Sequence, residues 1–114
     1  LIRTSTHKRS KLQERRAASS YGGAVNPGSG NQWHHKADVR TPEYLVECKT
    51  TTKLSYSLTE KTIKTLWDQA ILDNRIPVLE IELPSLTAVI LDKNDFIAMK
   101  EELEQLRVAY GAPT

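Results

Sequence analysis

A chain of 114 residues, 39% of them hydrophobic, is long enough for one domain with one modest core and too apolar for wholesale disorder. No apolar run approaches the roughly 18–20 residues of a membrane span, and the polar, basic N-terminus does not read as a signal peptide. The single cysteine excludes an internal disulfide and suits a reducing compartment, the cytoplasm. The chain opens on Leu1, so at least an initiator methionine is expected before it. Net charge is only +2 but lopsided. Residues 1–53 hold ten Lys/Arg against four Asp/Glu, and residues 54–114 hold six against ten. A basic half attracts phosphate backbones through counterion release; a solvated arm is the plainer reading.

In chain order, residues 1–7 read as a flexible basic arm and 8–114 as a single domain. A helix is expected from about His7 to Tyr21, stopped by Gly22-Gly23. Its apolar face is thin, little more than Leu12, Ala17 and Ala18, so it needs a partner surface. Residues 22–31 hold four of the five glycines and form a loop, with room for a short strand at Ala24-Val25. Strands are expected near 33–40 and 44–50. Ser57-Leu-Thr-Glu60 has the form of a capping box opening a second helix, with Ile63, Leu66, Trp67, Ala70 and Ile71 as its apolar stripe and Asn74 and Pro77 ending it. Val78–Leu83 and Leu86–Leu91 read as strands. A last helix from about Asp95 to Tyr110 carries Phe96, Met99, Leu103, Leu106 and Tyr110 as a stripe. The order implies an α/β sandwich around one mixed sheet.

The chemistry gathers on the two strands around Thr41-Pro42-Glu43-Tyr44. Proline at the second position suits a type I turn. If those four residues form the loop, Arg40 pairs with Leu45 and Asp38 faces Glu47. Opposed residues on paired strands have Cβ atoms roughly 4.5–5.5 Å apart, close enough for two carboxylates to share a metal ion. Alternation puts Glu47 and Lys49 on one face and sends Val46 and Cys48 to the other, toward a core. A slip of one residue would undo the arrangement. Two carboxylates and a lysine in this pattern suit metal-assisted phosphodiester cleavage; an ordinary polar strand face is the plainer reading. Zinc is not expected, because adjacent His34 and His35 point to opposite strand faces and cannot join Cys48 in one site. Lys8, Arg9, Lys11, Arg15 and Arg16, with Lys36, are candidate DNA-backbone contacts, spread over several sides of a helix. No base-reading motif is present, so shape-selective binding is favoured over a fixed sequence.

The succession of a helix bearing Glu14, a glycine-rich loop, Asp38, Glu47-Cys48-Lys49, a helix and a strand resembles the PD-(D/E)XK nuclease superfamily, which includes restriction enzymes and archaeal-type Holliday junction resolvases. The match covers roughly residues 8–91, with Ala37 where the family often has proline. The resemblance implies a restriction-endonuclease-like αβββαβ core, a central mixed sheet flanked by helices. It implies that Asp38, Glu47 and the Cys48 carbonyl ligate Mg2+, with Mn2+ able to substitute. It assigns Lys49 to the attacking water, Glu14 to the first-helix carboxylate near the metal, Ser29 to a position by the scissile phosphate, and Gln69 to a polar group reaching back from the second helix. Within the family the chain looks most like a small resolvase of archaeal or phage type, acting on branched DNA as a homodimer. A general repair or restriction-like nuclease, and a noncatalytic DNA-binding module on the same fold, are the alternatives.

Overall fold

The computed structural model of the chain describes residues 6–26 and 37–111. The expectations for Ser29, His34, His35 and Lys36 therefore lie outside the described residues. The elements follow as α1 (Thr6–Tyr21), β1 (Ala24–Val25), β2 (Val39–Arg40), β3 (Tyr44–Thr50), α2 (Glu60–Leu72), β4 (Ile76–Glu82), β5 (Thr87–Ile90) and α3 (Lys93–Ala109). The strands form one sheet in the order β1-β2-β3-β4-β5. All neighbours are antiparallel except β3 and β4, which are parallel and joined by α2. This is the expected α/β architecture, a mixed sheet with the αβββαβ order, followed by β5 and α3.

Each boundary has a local cause. α1 begins at Thr6, one residue before its expected start, and ends where Gly22 takes φ +71°. The Gly23 amide then reaches back to Ala18 O (2.9 Å), which closes the helix with a Schellman turn. Gly23 is also needed for space: a Cβ there would stand 2.3 Å from Arg40 O. At the end of α2, Asn74 (φ 53°) plays the part of Gly22, and Arg75 N bonds Ala70 O at 2.8 Å.

Several expectations need correction. The capping box at Ser57 is not formed; Thr59 caps α2, its side chain accepting from Thr62 N at 3.2 Å. Pro77 does not stop the helix but lies inside β4, paired with Leu45. A proline fits there because β5 joins β4 only from Leu79 onward, so no ladder partner awaits the missing N–H. Ile71 leaves the predicted stripe: it is 73% exposed, one position past the row made by Leu66 and Ala70. The α3 stripe forms but none of its members is buried among the described residues, and Phe96, Leu103, Leu106 and Tyr110 are all exposed.

The sheet divides the apolar interior in two. Facing α2, Leu45, Leu79 and Ile81 pack with Leu66, Ala70 and Ala37, bordered by Trp67. Trp67 Nε1 donates to Asp92 Oδ2 (3.1 Å), while Asp92 Oδ1 caps α3. Facing α1, Val39, Val46 and Val78 pack on Ala17. The thin apolar face of α1 is supplemented by polar burial that the sequence reading missed. Gln13 is 1% exposed, and its Nε2 donates to Lys49 O (3.0 Å), Glu80 O (3.4 Å) and Glu80 Oε2 (3.2 Å). Tyr21 Oη donates to Glu80 Oε1 at 2.9 Å. Burial and the Glu80 carboxylate both push the Tyr21 phenol up, so it remains a donor. Replacing Gln13 by leucine keeps the volume but takes the amide donor from Glu80 Oε2 and from Lys49 O, leaving Tyr21 as the donor to the carboxylate. Gln13→Leu should lower stability by about 1–3 kcal/mol, read as a lower urea midpoint at unchanged slope; an unchanged midpoint would show that water replaces the amide.

Candidate active site

The hairpin of β2 and β3 has the expected register: Arg40 pairs with Leu45 and Val39 with Val46. Its loop is fixed twice. Thr41 N donates to Tyr44 O (2.9 Å), and Thr41 Oγ1 accepts from the amides of Glu43 and Tyr44 (3.1 and 2.8 Å). Arg75 Nε donates to Thr41 O at 2.6 Å, tying the loop to the segment after α2. Arg40 and Arg75 both pair with Asp73, each at 2.8 Å.

Beyond Val39 the ladder changes. The Asp38 amide donates to Val46 O (3.0 Å), although Val46 is already the partner of Val39. Two residues thus face one, as in a β-bulge, and such a bulge re-aims a side chain. The Asp38 carboxylate turns back onto β3, where Oδ2 accepts from Cys48 N at 2.8 Å. In extended backbone the N–H and C=O of one residue point to the same side. The Cys48 carbonyl therefore lies on the Asp38 edge of β3, away from β4.

Alternation along β3 places Leu45, Glu47 and Lys49 on the α2 side and Val46 and Cys48 on the α1 side, as expected. Glu47 is 5% exposed, and Lys49 Nζ stands 3.7 Å from its Oε1. The Glu47 carboxyl is pushed up to about 8, first by burial, then by the Asp38 charge and a hydrogen bond with Asp38; Lys49 opposes the shift and Glu14 adds to it. Glu14 is 5% exposed and raised by burial and by the Asp38 charge, with Lys11 Nζ at 3.9 Å from its Oε1. Burial and the surrounding carboxylates raise the Cys48 thiol, so it stays protonated and packs as a small half-buried side chain.

The structure thus brings Glu14, Asp38, Glu47 and Lys49 into one neighbourhood. It does not bring Gln69 there. Gln69 lines a neighbouring cavity of about 340 Å³ with Asn26, Ala37, Arg40, Leu45, Leu72 and Asp73, and its buried Oε1 has no hydrogen-bond partner among the described residues. Gln69 lies two helical turns past the first turn of α2, level with Leu45 rather than with Glu47. The residues of α2 that do face the pair are Lys61, Thr62 and Thr65, which with Glu47 and Lys49 line a cavity of about 290 Å³. Sequence reading missed them, although their i, i+1, i+4 spacing on the expected second helix was available. Of the expected DNA contacts, Lys8, Lys11, Arg15 and Arg16 are exposed on α1 and Arg9 is half-buried. Arg16 pairs with Glu82, and Arg9 Nη2 donates to Thr6 Oγ1 at 3.1 Å.

Among the described residues no three His, Cys, Asp or Glu side chains converge as a metal cluster. The oxygen set at the bulge comprises two carboxylates and an edge carbonyl. That set fits a cation such as Mg2+, which takes one or two carboxylates and keeps most of its waters.

No protein-family model matches the chain. No curated protein matches it in sequence. Among solved structures it is similar to Hjc of Archaeoglobus fulgidus, a Holliday junction resolvase from an archaeal hyperthermophile, with a TM-score of 0.57 and 16% identity over 68% of this chain and 72% of that one. The chain has the α/β fold of that archaeal resolvase.

Proposed function

We propose that the chain is a metal-dependent endodeoxyribonuclease that hydrolyses phosphodiesters, acting on branched DNA as a Holliday junction resolvase. The single observation that carries this reading is the Asp38–Glu47 pair: two buried carboxylates, one just before β2 and one on β3, with a lysine 3.7 Å from Glu47, on a fold shared with a resolvase. In this reading Asp38, Glu47 and the Cys48 carbonyl hold Mg2+, or Mn2+ in its place. The cation, when bound, supplies Lewis-acid activation of water and stabilises charge on the phosphate. Lys49 orients the attacking water and neutralises charge as the new P–O bond forms and the bridging P–O bond breaks. Glu14 stands behind Asp38 and adds negative charge that favours the cation. The basic face of α1 supplies phosphate contacts, which give affinity and salt dependence rather than sequence choice.

A junction offers two equivalent strands, so we assign the working form to a homodimer. The exposed α3 stripe of Phe96, Leu103, Leu106 and Tyr110 is the surface that supports it. Contiguous apolar surface of this kind marks interaction sites.

Three outcomes are expected. Asp38→Ala should reduce Mg2+-dependent nicking more than about 100-fold while junction binding persists in Ca2+; a variant that cuts normally removes Asp38 from the site. On a labelled four-way junction the protein should make paired symmetric cuts, faster than on a linear duplex of the same sequence. Equal rates on both would favour a general nuclease over a resolvase. The third outcome concerns pH. The folded value of Glu47 lies above its ordinary one, so without metal the protein loses stability as pH rises from the usual carboxylate range to about 8. A cation replaces that proton, so Mn2+ affinity by calorimetry should rise over the same range, with proton release that vanishes in Glu47→Gln. Affinity independent of pH would place the cation elsewhere.

A further inference from the structure

The cavity facing Glu47 and Lys49 has a second wall that the proposed hydrolysis leaves unused. α2 presents Lys61, Thr62 and Thr65 across about 290 Å³ of space. Both threonine hydroxyls are engaged along the helix: Thr62 Oγ1 lies 3.0 Å from Thr59 Oγ1, and Thr65 Oγ1 donates to Lys61 O at 2.8 Å. The helix bond at Thr65 runs to the Lys61 backbone, so the Lys61 ammonium itself is not consumed by it. Lys61 is exposed, and the cavity lining holds two lysines against one carboxylate. That balance selects an anion. The volume falls just below the roughly 300–1,000 Å³ of ligand pockets, room for a phosphate with its sugar and not a base pair. The two walls differ in kind. Lys49 is tied to the Glu47 carboxylate, whereas Lys61 reaches in from the opposite side on a flexible stem, as a compact charge with three donors.

We infer that Lys61 binds the DNA phosphodiester next to the one being cut, holding the strand against α2 so that the scissile phosphate rests between Lys49 and the carboxylate pair. The assignment rests on the nuclease reading. It makes Lys61 a substrate-binding residue that acts on the neighbouring phosphate and takes no part in proton transfer. Thr62 and Thr65 complete the wall beside it.

The test uses a fluorescein-labelled four-way junction and the matching duplex, with binding measured in Ca2+ and single-turnover nicking in Mg2+. Lys61→Met should weaken binding about tenfold at low salt, the range for one charge-assisted contact, and lower the slope of log affinity against log salt by about 0.9. Lys61→Arg should restore both. A single uncharged methylphosphonate at the phosphate beside the cut should reproduce the Lys61→Met loss, and the two changes together should cost no more than either alone. Unchanged affinity and salt slope in Lys61→Met, or losses that simply add to those of the methylphosphonate at every position near the cut, would overturn the assignment. A wild-type protein that binds the junction but nicks nothing would overturn the nuclease reading, while the Ca2+ salt slope would still decide the Lys61 contact. Absence of any DNA binding would overturn both.

Discussion

The hydrogen bond from Cys48 N to Asp38 Oδ2 is the contact on which the site depends. It replaces a ladder bond with a side-chain bond at the point where β2 leaves register. A carboxylate accepting a backbone amide is among the stronger hydrogen bonds in a protein. Here it also fixes the aspartate beside Glu47. Had β2 continued as a regular strand, its carbonyls would have paired with β3 and the Asp38 side chain would have stood clear of the Cys48 amide. The bulge therefore gives up one ladder bond and gains a carboxylate anchored at one oxygen and coupled to a second acid. Two buried acids side by side are unfavourable, and the fold bears them because the hairpin is held elsewhere, by Thr41 within the loop and by Arg75 outside it.

The same logic explains the unusual face of α1. A helix that must bring Glu14 toward Asp38 cannot bury only apolar side chains. It seats instead through Ala17 and through Gln13, whose amide satisfies two backbone carbonyls and the buried Glu80 carboxylate. Lys49 O is one of those carbonyls, so the bond that seats the helix also steadies the backbone of the lysine that faces Glu47. Buried polar groups that are satisfied in this way fix one arrangement of helix on sheet, because a rotated helix would leave them unpaired. Gln13 Oε1, buried with no partner among the described residues, is the residual cost.

How much of this was legible follows from the range of each interaction. Register was readable because Thr41-Pro42 confines the loop and alternation does the rest, so Arg40 with Leu45 and the Glu47–Lys49 face could be read from spacing alone. The bulge was not readable, since two-residue periodicity assumes a regular ladder, yet it leaves Asp38 beside Glu47 as the simple register expected. Gln13, Glu80 and Arg75 were missed because each acts across a long stretch of chain: nothing near Gln13 in sequence announces an acid on β4. Gln69 was misplaced for a related reason. A helix crossing a strand presents a different turn to each strand residue, and only the packing of Leu66 and Ala70 on Leu45 and Leu79 shows which turn meets Glu47. The Ser57 cap fails because a second candidate, Thr59, stands two residues on and takes the capping bond from Thr62 N.

The division of labour across the sheet is the physical reason for the placement of the chemistry. β3 is covered on both faces, so its alternate residues meet different helices: Val46 and Cys48 meet α1, Leu45 and Glu47 meet the side of α2. The apolar contact at Leu45 gives way, two residues on, to a carboxylate and then to a lysine, while α2 changes in step from Leu66 and Ala70 back to Lys61, Thr62 and Thr65. Contact between strand and helix thus changes from the apolar packing of Leu45 on Leu66 and Ala70 to a polar cavity at Glu47 and Lys49 within one strand length. Rigid packing at one end positions charged groups at the other without burying them completely. A charged residue in place of Leu45 would break the apolar cluster with Leu66 and Ala70, and an apolar residue at Lys49 would remove the cation that faces Glu47 and close the cavity through which the carboxylates meet solvent.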